Sequence, residues 1–260
     1  MWVVIGIGLA ATVAALFLPP IPQDPAYHNF ADRRRLLGLP NALNVLSNAP
    51  FVLVGALGWA LVRRREALGP DGPLTAPWER SAFLILFAGI GLTGLGSAYY
   101  HLAPDNVTLF GDRLPISLVF MSLLAITIGE RISLRAGRRL QPVLLALGAG
   151  SVLYWIWGEL AGAGDLRVYG LVQFFPLVAI PLMLLLFPPR YTRAKDLLGA
   201  LGWYALAKIF EALDARIFAA GGFVSGHTLK HLASAVAMYW IFRMVKRRRP
   251  LSGSPCESRR

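Results

Sequence analysis

Apolar runs broken by brief polar punctuation recur along almost the whole chain, and a helix crossing the hydrocarbon of a bilayer needs about 20 mostly apolar residues. Eight runs meet this description: Trp2–Leu18, Asn44–Val62, Ser81–His101, Leu114–Gly129, Leu140–Trp157, Val168–Phe187, Asp196–Phe218 and His227–Val245. Proline, glycine or charge bounds most of them, as at Pro19-Pro20, Gly69-Pro70 and Pro188-Pro189, where helices stop. The pattern predicts an all-α integral membrane protein, a core of seven transmembrane helices preceded by an extra N-terminal helix. Residues 1–18 form that apolar helix and residues 19–43 an extracytoplasmic segment that can serve as a lid. Residues 44–245 form the seven-helix domain, and residues 246–260 a basic cytoplasmic tail.

Composition sharpens the picture by exclusion. With 56% hydrophobic and 15% charged residues, the 260-residue chain lies far from the soluble average. Its 14 Phe, 8 Tyr and 7 Trp exclude a disordered chain. The single cysteine, Cys256, can form no internal disulfide. A net charge of +12 would suit nucleic acid, but the basic residues sit in short clusters between apolar runs, which suits loops facing anionic lipid headgroups. A membrane lipid, not nucleic acid, is the expected partner; oligomeric state is left open.

Lys and Arg counts in the loops alternate. Arg63–Arg80 holds four, Glu130–Arg139 four, Pro188–Lys195 three and the end from Arg243 seven, whereas Leu102–Arg113 and Gly158–Arg167 hold one each. Short basic loops stay cytoplasmic, so the C-terminus is placed inside; Arg33-Arg34-Arg35 is the exception. The first run lacks a basic leader, and Leu16-Phe17-Leu18-Pro19 is a poor cleavage site, so it is read as a retained helix.

Ionisable groups within spans are costly and default to functional candidates. Three of the four histidines lie at span ends, His101 closing the second core helix and His227 and His231 opening the seventh. Helix alternation puts all three on the extracytoplasmic side. Ser97 and His101, like His227 and His231, are four apart, so each pair projects from one helix face with Cβ atoms about 6 Å apart. Asp112 follows His101 by eleven residues, at the outer start of the third core helix. Three imidazoles and an open position suit a catalytic zinc; a carboxylate can then move a proton and a serine hydroxyl can donate to an oxyanion. The plain alternative is a set of interfacial histidines with rings at headgroup level. A haem carrier is a further alternative, though haem wants facing ligands deeper in two helices and leaves Ser97 and Asp112 without a role.

The motifs Gly96-Ser97-Ala98-Tyr99-Tyr100-His101-Leu102, Asp112-Arg113-Leu114-Pro115 and Gly226-His227-Thr228-Leu229-Lys230-His231 resemble the alkaline ceramidase family. That family belongs to a wider superfamily of seven-helix membrane hydrolases with adiponectin-receptor and haemolysin III relatives. The resemblance spans about Tyr27 to Val245 and includes Asn44-Val45-Leu46-Ser47-Asn48. It implies that His101, His227 and His231 bind zinc, that Asp112 manages the proton of the zinc-bound water, and that Ser97 stabilises the oxyanion. The implied reaction is hydrolysis of the linear amide of ceramide to a sphingoid base and a fatty acid. The alternative is a receptor-like or non-ceramide lipid-handling member of the same superfamily. Animal members carry calcium on acidic residues of the N-terminal segment; Tyr27–Asn41 here is poor in acids and rich in arginine, so no calcium site is expected and His28 and Asp32 are read as loop or lid residues.

Lys208, Glu211 and Asp214, three apart, are expected to pair along one helix face. Glu159, Asp165 and Arg167 either line the site entrance or are solvated. Trp155, Trp157, Trp203 and Trp240 are read as span-end anchors.

Overall fold

A computed structural model describes residues 2–251; Cys256 and the tail from Ser252 onward lie outside the described residues. Those residues are 76% helix with no strand. In chain order the helices are α1 (Trp2–Phe17), α2 (Ala42–Leu46), α3 (Ala49–Arg63), α4 (Pro77–Leu102), α5 (Asn106–Arg131), α6 (Leu134–Leu160), α7 (Arg167–Leu186), α8 (Asp196–Ala212), α9 (Asp214–Gly221) and α10 (Gly226–Arg247). α4 packs between α3 and α5, α5 also meets α6 and α7, α10 lies against α8 and α3, and α1 runs along α7.

The protein is a multi-pass membrane protein. Five segments are long and apolar enough to cross a bilayer: Ala42–Arg63, which joins α2 and α3, and α4, α5, α6 and α7. α8 has only 17 residues, and α10, at 22 residues, carries Lys230, Arg243, Lys246 and Arg247. By length and composition, then, five segments among the described residues qualify as spans, where the sequence pattern predicts seven. Large apolar side chains face outward, among them Leu53 at 59%, Leu95 at 58% and Leu185 at 80% exposure. Hydrocarbon on both faces of a helix is what a lipid surround requires. Inside, Phe83, Leu86, Phe87, Ile90, Leu124, Ile180, Met183 and Ile241 join α4, α5, α7 and α10 in one core.

The helix boundaries depart furthest from the sequence reading at three places. The first core helix is broken at Ser47-Asn48, because Pro50 has no N–H to bond the carbonyl one turn back and so begins a new helix. The third core helix starts at Asn106, not Leu114: Asp105 accepts from the Thr108 N–H at 2.6 Å and caps it. Its two polar opening turns escape a hydropathy reading because protein, not lipid, covers them; the loop before it is only residues 103–105. The sixth core helix is interrupted at Leu213, between α8 and α9. There Asp214 turns away from Lys208 and Glu211 and accepts from the backbone N–H groups of His227 at 2.7 Å and Ala31 at 3.0 Å. Trp155 is also not an anchor: it is fully buried and donates to Glu159 at 3.1 Å.

Candidate metal centre

The end of α4 and the start of α10 bring His101, His227 and His231 together, fully buried, with one ligand nitrogen from each lying within 4.8 Å of the others. The ring centroids stand 4.8–4.9 Å apart, and Nε2 of His101 is 3.3 Å from Nε2 of His231. Each part of this arrangement has a local cause. Ser225 caps α10 by accepting from the Thr228 N–H at 3.1 Å, and the Thr228 hydroxyl donates to Asn44 Oδ1 at 2.8 Å. Gly226 has to be glycine, since a Cβ there would lie 2.2 Å from the Phe210 carbonyl. Asn41, held at φ 46°, donates from Nδ2 to the His101 carbonyl at 2.9 Å and satisfies one of the free carbonyls at the end of α4.

The break between α2 and α3 sets the tautomer of His231. Ser47 Oγ lies 2.8 Å from His231 Nδ1 and 3.1 Å from the Asn44 carbonyl. A carbonyl can only accept, so the serine proton goes to Asn44 and the hydroxyl oxygen accepts from Nδ1–H of His231. The proton on Nδ1 leaves the Nε2 lone pair directed at the other two rings, the second-shell arrangement that fixes a metal-binding imidazole. His227 Nε2 and His101 Nδ1 have no hydrogen-bond partner in the protein. Unpaired buried ring nitrogens are costly, and three facing imidazoles make a donor set for a divalent transition ion. The residues present therefore fit a metal ion. Imidazole donors suit zinc, copper, nickel and iron alike.

Ser97 and Asp112 stand on the wall of a cavity of about 290 Å³ that His231 also lines. They meet because Gly96 lets α4 approach α5: a Cβ at Gly96 would lie 2.0 Å from the Gly111 carbonyl, whose helical partner Pro115 cannot donate. The Ser97 side chain thus faces the Asp112 carboxylate. Away from the histidines the cavity is walled by Phe51, Ile90, Ile116, Val119, Phe120 and Met238.

The segment before α2 covers one end of the histidine cluster. The Phe30 ring packs 4.6 Å from both His101 and His227. His28 bonds Tyr100 at 2.9 Å and Asn106 at 3.0 Å, and Arg34 pairs with Asp32 while donating to the carbonyls of Gly222 and Phe223. This segment is thus tied to α4, α5 and α10 at once. Asp165 is buried against Arg167, which holds its carboxyl down to about 2, and Glu159 accepts from the Gln23 N–H at 2.6 Å. These acids fasten loops instead of lining an entrance.

Sequence reasoning overlooked Ser47 as a partner of His231, along with the cavity residues Arg113, Tyr27 and Lys230. Lys230 stands inside the His227–His231 motif, so its position was visible, but its contact with Glu211 at 3.1 Å joins two helices that no spacing relates. No protein-family model matches this chain, and comparison with curated proteins finds no match.

Proposed function

We propose that this protein is a zinc-dependent hydrolase of a linear amide bond in a membrane lipid, most simply an N-acyl lipid of the ceramide kind, as its resemblance to the alkaline ceramidases implies. The observation that carries this reading is the convergence of three facing imidazoles, of which His231 stands on the wall of a cavity that Ser97 and Asp112 also line. A zinc ion held by His101, His227 and His231 would supply a Lewis acid for the amide carbonyl and a water that ionises near pH 7. Asp112 takes a proton from the attacking water as the new C–O bond forms, and returns it to the amine nitrogen as the C–N bond breaks. Ser97 donates to the carbonyl oxygen while that oxygen gains negative charge. The apolar wall from Phe51 to Met238 excludes water and seats the acyl chain.

In the same reading the chain crosses the membrane seven times after α1, with α8 and α9 acting as one span and α10 as the last. The site then faces the extracytoplasmic side, and the basic end from Arg243 lies in the cytoplasm. Support comes from the loop charges and from the shared end of α4, α5 and α10 at which the site sits.

Hydrolysis of a ceramide and of a panel of other N-acyl lipids by zinc-loaded protein in detergent tests the reading. Asp112→Asn is expected to keep the metal and lose about 100- to 10,000-fold in turnover, and Ser97→Ala about 10- to 1,000-fold. Absence of amide cleavage for every lipid in the panel, with metal bound, would overturn it.

A further inference from the structure

Besides His231, the cavity carries three basic side chains, Arg113, Lys208 and Lys230, against two acidic ones, Asp112 and Glu211. The two lysines share Glu211, at 2.6 Å from Lys208 and 3.1 Å from Lys230. Arg113 has no carboxylate of its own. It is 6% exposed, with its guanidinium 4.2 Å from the Trp155 ring centroid and 4.8 Å from that of Tyr169. Nη2 donates to Gln23 Oε1 at 2.6 Å, while Nη1 is buried with no hydrogen-bond partner in the protein. Three aromatic rings, Tyr27 being the third at 5.6 Å, pin the guanidinium in place, so its orientation costs little further ordering when something binds.

A buried cation that has a free donor, lines a cavity and lacks the carboxylate that Arg248 finds in Glu130 is a poor structural element and a good recognition element. Stacking on rings offsets part of its desolvation but satisfies none of its N–H groups. The positive excess of the cavity has the same sign, and a divalent ion on the histidines would add to it. From this juxtaposition we infer that Arg113 forms an anion-recognition subsite, so that the preferred ligand is an N-acyl amphiphile bearing an anionic group, such as a carboxylate, on the amine side of its amide. The inference rests on the proposed hydrolase only for the placing of the amide; recognition by Arg113 requires neither metal nor turnover.

Binding to the purified full chain, metal-free and metal-loaded, tests it with three probes of equal chain length: N-oleoylglycine, N-oleoylethanolamine and oleate. N-oleoylglycine is expected to bind about tenfold or more tighter than N-oleoylethanolamine in both preparations, the weight of one charge-assisted hydrogen bond. Arg113→Met is expected to abolish that preference and Arg113→Lys to keep part of it, with N-oleoylethanolamine affinity and helix content reporting that the fold survives. Equal affinity of the wild type for the two amides would overturn the inference whether or not the variants fold. So would a preference that survives in a folded Arg113→Met protein. Oleate separates the sources: if it matches N-oleoylglycine in the metal-free protein, the subsite reads a fatty-acid carboxylate and the placing on the amine side is overturned. If the preference is found but no N-acyl lipid is cleaved, the hydrolase fails and the subsite stands.

Discussion

The two ends of α4 carry buried polar clusters of opposite kinds. Glu79 and His101 are 22 residues apart on that helix, about 33 Å at 1.5 Å per residue. At the Glu79 end the carboxylates are used up on donors, although Arg248 Nη2 and Gln141 Nε2 are buried there without hydrogen-bond partners. The Glu79 carboxylate accepts from the N–H groups of Thr75 and Ala76, both at 2.8 Å, and from the Tyr191 hydroxyl at 2.7 Å. Nearby, Glu130 pairs with Arg248, whose guanidinium also lies 4.1 Å from the Tyr191 ring centroid and donates to the Pro73 carbonyl at 2.7 Å. At the His101 end, His101 Nδ1 and His227 Nε2 in the histidine cluster, and Asn48 Oδ1 and Arg113 Nη1 of residues that line the cavity shared with His231, are buried without hydrogen-bond partners. A cluster whose acids are saturated fastens helices; a cluster of three facing imidazoles, two with an unpartnered nitrogen, beside a cavity is arranged for something that is not protein.

The contrast makes the sharpest test a metal measurement. Purified protein is expected to hold about one zinc per chain, the stoichiometry of a three-imidazole site, and His231→Ala or His227→Ala to remove most of it. Full metal retention in both single variants, measured by elemental analysis, would erase the distinction between the two ends. Ser47→Ala comes next, because it removes the acceptor that orients His231 while leaving all three ligands. Metal affinity is expected to fall about 10- to 100-fold by chelator competition, and an unchanged affinity would leave the serine without the positioning role assigned to it.

Changes that touch only fastening should move stability and not metal. Glu79→Gln sets an amide NH2 against a group of donors and is expected to cost about 1–3 kcal/mol with zinc content unaltered; loss of zinc would show that the far end governs the site. The smallest effect belongs to Asp165, held near 2 chiefly by its hydrogen bond from Arg167. Its folded pKa lies below the unfolded value, so its contribution is present above about pH 4 and fades as pH falls towards 2. Asp165→Asn is expected to lose about 1 kcal/mol at pH 7, measured by thermal unfolding, with the gap from wild type narrowing over that acidic window.

The histidine motif was legible because one helical turn separates His227 from His231 and Ser97 from His101, and span parity puts both pairs at one end. The boundaries of the third and sixth core helices were not, because their ends mix polar and apolar residues that protein covers. A hydropathy pattern treats every helix face as facing lipid.

Composition and periodicity alone determined that the chain is helical, embedded in a membrane and equipped with three histidines at span ends, since burying so much hydrocarbon against lipid leaves no other backbone arrangement. Only the tertiary structure decided that Ser47 faces His231, that Asp214 binds α10 and the segment before α2 in place of Lys208, and that Arg113 stands on the cavity wall with Nη1 unpartnered. Those contacts join residues from 13 to 184 positions apart, and their existence depends on how closely helices approach. That approach is set here by the missing Cβ atoms of Gly96 and Gly226 and by the missing N–H groups of Pro50 and Pro115, whose consequences appear only when a second helix is laid against the first.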